Sequence, residues 1–155
     1  HKYIHTIAYY LDQACVALGA REAERLLLND VSLGATADLQ SATAIARELV
    51  EVHGLGGEKL GLVQYLDLQT GKRRDQLSSD TLAAIDARVT AIIEEQRLRA
   101  ETLVRENRPL IELLRDTLLE KKTLDSKALA ALVPEPVRTA NALKKAAPEA
   151  GSATA

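Results

Sequence analysis

Three histidines, one cysteine and the carboxylates are the residues of this 155-residue chain with chemistry to offer. His1 and His5 stand four apart in His-Lys-Tyr-Ile-His, the spacing at which two imidazoles on one helix face reach a single metal ion. Lys2, however, occupies the place where a hydrolase of that pattern carries its general base, so the pair reads as an exposed N-terminal stretch. His53 closes a helical segment, where an imidazole beside the last carbonyls is ordinary capping. Cys15 lies among Ala14, Val16 and Leu18, an apolar helical run that predicts a buried, inert thiol. Asp38 stands just inside the start of another helical segment. On position alone it is a first-turn carboxylate of the kind the helix dipole favours.

Composition narrows the setting of these groups. Ala, Leu, Glu, Arg and Lys dominate, there is no Phe or Trp, and the chain holds only four Tyr, so a mostly helical domain is predicted. With 20 basic and 22 acidic side chains the formal charge is −2, which supplies no electrostatic case for nucleic acid or an anionic membrane. A single cysteine excludes an internal disulfide and fits a reducing compartment. No stretch approaches the roughly 20 consecutive apolar residues of a membrane span. The chain opens on His1 and contains no Met, which reads as a soluble piece of a longer protein whose membrane anchor, if it has one, lies elsewhere.

Five helical segments and one long loop are expected, making an all-α bundle with a glycine-rich loop or short hairpin after the second helix. Thr6 can cap a helix to about Leu28, with Ile7, Leu11, Cys15, Leu18 and Leu26 at helical spacing. Thr36 can cap a second helix through His53, with Gly54 just past its end. Four glycines (Gly54, Gly56, Gly57, Gly61), the apolar run Leu60 to Leu68 and a basic turn at Gly71 to Arg74 form the loop. A long third helix from about Ser79 to Asn107 carries the stripe Leu82, Ile85, Val89, Ile92, Ile93, Gln96, Ala100, Leu103, Val104. Asn107 and Pro109 suit the start of a fourth helix with Leu110, Leu113, Leu114 and Leu118 inward, and a fifth runs from Asp125 or Ser126 to about Val133. Residues 134–155 drift to Ala, Pro, Lys, Gly and Ser, the composition of a poorly ordered tail.

Three segments in order resemble the peptidase domain of FtsH-type proteases. Leu18-Gly19-Ala20-Arg21-Glu22-Ala23-Glu24 is similar to that family's Gly-Gly-Arg-x-Ala-Glu helix. Ser32-Leu33-Gly34-Ala35-Thr36-Ala37-Asp38-Leu39, leading to Ala42-Thr43 and Ala46-Arg47, resembles its Ser-Thr-Gly-Ala-x-Asn-Asp-Leu loop and following helix. Glu58-Lys59-Leu60-Gly61 matches its Glu-Lys-Leu-Gly, and Glu106-Asn107-Arg108, Leu119-Glu120-Lys121 and Thr123-Leu124-Asp125 match its closing helices. The likeness extends over about residues 6 to 133, and residues 1–133 would form the C-terminal part of such a domain.

The resemblance implies a zinc endopeptidase whose two histidines come from an upstream His-Glu-x-x-His helix and whose third ligand is Asp38. Bound zinc would lower the pKa of a water and polarise the scissile carbonyl, with the Glu of the motif as base. Arg21 and Glu24 would support the site, a carboxylate near the zinc histidines being able to orient an imidazole; a surface Arg21 and a Glu24 to Leu28 helix face is the other reading. The resemblance further implies protein substrates, ATP in a separate ATPase domain, a homo-hexamer, and a parent anchored on the cytoplasmic face of a bacterial inner membrane or organellar equivalent.

The chain also departs from the pattern. It contains no His-Glu-x-x-His, so no catalytic residue is expected in it and the chain alone is predicted inactive. Ala20 replaces the second Gly, Gly57 the usual Ser, and Leu33 and Ala37 replace polar residues beside Asp38. A proteolytically inactive homologue, or a helical assembly and interaction module, therefore stays open as the alternative function.

Overall fold

The computed structural model describes residues 5–74 and 77–133. The expected tail, residues 134–155, and His1 lie outside the described residues. The order is α1 (Ile7–Leu28), one 3₁₀ turn (Leu33–Ala35), α2 (Thr36–Glu51), α3 (Ser79–Glu106), α4 (Arg108–Lys121) and α5 (Ser126–Leu132). The fold is all-α, and the only β feature among the described residues is an isolated antiparallel bridge, Leu66 to Arg73, inside the long loop.

Helix ends follow side-chain chemistry closely. Thr6 Oγ1 accepts from the Tyr9 amide at 3.2 Å and starts α1, which ends where Asn29 takes a left-handed conformation (φ 53°). The start of α2 differs from expectation. Thr36 already has helical dihedrals, and its hydroxyl donates back to Leu33 O at 2.7 Å, because the 3₁₀ turn runs straight into the helix and leaves no room for a separate cap. The helix also stops at Glu51, two residues before His53; Gly54, at φ 71°, turns the chain, and the Leu55 amide donates to Leu49 O at 2.9 Å. Ser78, one residue before the expected start, caps α3 by accepting from the Thr81 amide at 3.1 Å. Asp125 caps α5 through the Ala128 amide at 2.7 Å.

The chain divides into two compact units, 1–106 and 107–155. In the first, α1 packs on both α2 and α3, and α2 on α3. One apolar cluster joins Ala46 and Val50 of α2, Ile85, Val89 and Ile92 of α3, and Leu60 and Tyr65 of the loop. A second joins Ala14, Cys15 and Leu18 of α1 to Ala42 and Ala100. Removing the Val, Leu and Ile side chains of these clusters from water contributes about 1.5 to 3 kcal/mol each, and the alanines less. The loop is tied in firmly. Tyr65 donates to Leu60 O at 2.7 Å, and a Cβ at Gly56 would fall 2.5 Å from the Leu60 side chain, so only glycine fits there.

In the second unit, Pro109 sits in the first turn of α4 and Lys122 (φ 61°) ends that helix. Leu110 and Leu114 are half-buried, while Leu113 and Leu118 are exposed. No described residue of α4 or α5 is fully buried.

Candidate metal centre

Asp38 is the third residue of α2, half-buried, and its carboxylate has no hydrogen-bond or ion-pair partner among the described residues. Its oxygens can therefore accept a ligand without breaking an existing contact, which fits one donor of a metal site. Among the described residues no group of three or more His, Cys, Asp or Glu could hold a metal.

The turn that delivers Asp38 is held from α1. Glu24 Oε2 accepts from the Ser32 amide at 2.8 Å and Glu24 Oε1 from the Ser32 hydroxyl at 2.9 Å. Behind Ser32 the 3₁₀ turn closes through the Ala35 amide on Ser32 O (3.4 Å), and the Thr36 amide and hydroxyl both donate to Leu33 O. Sequence reasoning singled out Glu24 but not Ser32 as its partner, because a contact eight residues apart across a chain reversal leaves no periodic signal. Arg21, one turn before Arg25 on α1, is half-buried and free of ion pairs among the described residues. Beside Asp38, Leu33 is 92% exposed and Ala37 is exposed.

The other candidates fall elsewhere. His5 is exposed and stacks on Tyr9 with ring centroids 4.5 Å apart. His53, past the end of α2, has Nε2 3.3 Å from Glu48 Oε1. Cys15 is buried as expected, and burial pushes its thiol above the ordinary value. An open groove of about 810 Å³ lies between the glycine loop and α3, lined in part by Gly56, Leu60, Ala84, Ala87 and Arg88, away from Asp38.

Two buried carboxylates were missed altogether. Glu22 and Glu51 are each 1% exposed. Glu22 binds Arg25 of its own helix (2.8 Å) and Arg97 of α3 (3.4 Å), and Glu101 joins the same arginines at 3.0 and 2.9 Å and adds Arg105 at 2.8 Å. Hydrogen bonds from Arg105 and then Arg97 hold the Glu101 carboxyl down to about 2. Together these contacts lock α1, which carries Arg21 and Glu24, onto α3.

Comparison with known proteins places the chain in a family. Residues 1–132 match the family model described as Peptidase family M41. The chain belongs to that family. It is similar to the ATP-dependent zinc metalloprotease FtsH of Bacillus subtilis, 37% identical over 140 residues, covering 85% of this chain and 22% of that protein. Its similarity to the protein of that name from Akkermansia muciniphila is 37% over 123 residues, 74% of this chain and 15% of that protein. For Syntrophobacter fumaroxidans it is 35% over 136 residues, 83% and 21%. The chain spans less than a quarter of the length of these relatives. No helix among the described residues is long and apolar enough to cross a membrane.

Proposed function

We propose that this chain is the C-terminal part of the peptidase domain of an ATP-dependent zinc metalloendopeptidase that degrades proteins, and that Asp38 supplies the third protein ligand to zinc. The carrying observation is the free, half-buried carboxylate of Asp38 in the first turn of α2, within a segment that resembles the family's ligand-bearing loop. Two histidines and the general base are assigned to an upstream His-Glu-x-x-His helix, and ATP to a separate ATPase domain. Arg21 and Glu24 are supporting groups on α1. The helices serve assembly of a homo-hexamer in the full-length protein, which is anchored at the cytoplasmic face of a membrane.

Zinc, when bound, supplies Lewis-acid polarisation of the scissile carbonyl and an acidified water. This chain's own part is to place one negative charge beside the metal and hold it there. Family M41 membership and the relatives named zinc metalloproteases support the reading. The test is zinc content measured together with protein degradation for Asp38→Asn in the full-length protein.

A further inference from the structure

The bridge between Glu24 and Ser32 carries one step more. Both oxygens of one carboxylate accept from one residue, the Ser32 amide at 2.8 Å and the Ser32 hydroxyl at 2.9 Å. Such paired bonds to a charged acceptor fix orientation as well as distance. Ser32 precedes the 3₁₀ turn, that turn is continuous with α2, and Asp38 is the third residue of α2. Each residue of a helix turns its side chain by about 100°, so a small rotation of the first turn swings a carboxylate out of reach of a fixed point. The Asp38 carboxylate has no hydrogen bond or ion pair among the described residues to hold it, and the nearby Leu33 and Ala37 have no polar side-chain atoms to offer it. Glu24 itself is anchored on a helix that the Glu22, Arg25, Arg97 and Glu101 network locks to α3.

We infer that Glu24 is a positioning residue for Asp38: by gripping Ser32 with both oxygens, it sets the turn that presents the Asp38 carboxylate to the metal. The inference rests on Asp38 being a metal ligand. It assigns to Glu24 a geometric task, distinct from a charge acting on a histidine. A glutamine at this position keeps the geometry, since its oxygen can accept from the Ser32 amide and its NH₂ can donate to the Ser32 hydroxyl.

The experiment measures zinc affinity and amide exchange at Ser32 in the full-length protein for Glu24→Ala, Glu24→Gln, Ser32→Ala and Asp38→Asn. In Glu24→Ala, the Ser32 amide is expected to exchange about tenfold faster or more. Zinc affinity should fall by about 10- to 100-fold, the usual loss for removing a group that orients a ligand. Glu24→Gln should restore both. Ser32→Ala, which keeps the amide arm and drops the hydroxyl arm, should lower zinc affinity severalfold below the parent, and if Glu24→Ala does not fold, parent affinity in Ser32→Ala overturns the positioning role. Parent zinc affinity in Glu24→Ala, with affinity lost in Asp38→Asn, overturns the positioning role alone. A Glu24→Gln variant that keeps Ser32 protected but loses zinc as deeply as Glu24→Ala overturns it in favour of a charge acting directly at the site. Parent affinity in Asp38→Asn overturns the ligand reading itself, whatever Ser32 does.

Discussion

Arg73 reaches from the long loop to Glu51 at the end of α2, placing Nη2 2.8 Å from the Oε1 of a carboxylate that is 1% exposed. Arg47 holds the same oxygen at 2.9 Å and extends to Asp86 of α3 at 2.9 Å, so one buried charge, through its two arginines, links α2, α3 and the long loop. Removing one partner leaves that charge under-compensated. Arg73→Ala is expected to cost about 1 to 2 kcal/mol, the lower part of the range for bonds to charged groups, since the guanidinium is partly hydrated. Urea unfolding checks this. An unchanged midpoint would show that the loop is held without Arg73.

Ile92 lies at 0% exposure in the cluster that joins α2, α3 and the loop. Ile92→Asp places an uncompensated charge there and should destabilise the fold by about 3 to 5 kcal/mol. A thermal melt within a degree or two of the parent would contradict that burial.

Glu101 gives stability a defined response to acid. Its carboxyl is depressed from the ordinary 4.5 to about 2 by Arg105, Arg97 and Arg25. The folded state therefore favours the ionised form, and its contribution is fully present above the ordinary value and is lost as pH falls through the folded one. Melting temperature should drop over that window, and Glu101→Gln should flatten the drop. Equal slopes for parent and variant would remove Glu101 from the acid response.

Much of this architecture is written locally in the sequence. The Thr6 cap, the Asp125 cap, the stripe through Ile85, Val89 and Ile92 and the glycines after α2 each announce an element through neighbouring residues. The buried carboxylates are different. Nothing local marks Glu22 and Glu51 as buried, because their partners Arg97 and Arg73 come from remote stretches of chain and are brought close only by folding. Thr36 was misplaced by one helix position for a related reason: nothing in Leu33-Gly34-Ala35 declares a 3₁₀ turn that merges with α2. The reading of Asp38 as a ligand rests on resemblance, since a first-turn aspartate is common in any helix.

The chain by itself is expected to bind zinc weakly and to cleave nothing, because one carboxylate cannot make a tetrahedral zinc site. Dialysis against zinc followed by metal analysis checks the first part and casein hydrolysis the second. Tight stoichiometric zinc, or cleavage blocked by a chelator, would show that the 155 residues hold ligands beyond Asp38.

The most direct test is zinc content and protein degradation for Asp38→Asn in the full-length protein. The substitution keeps shape and one oxygen but removes the negative charge, and an amide oxygen is a poor zinc ligand beside a carboxylate. Zinc content and degradation are predicted to fall together while ATP hydrolysis continues. Asparagine serves a helix start about as well as aspartate, so a purely structural Asp38 would lose under ~1 kcal/mol of stability and no metal. Parent-level zinc with parent-level degradation would contradict the account.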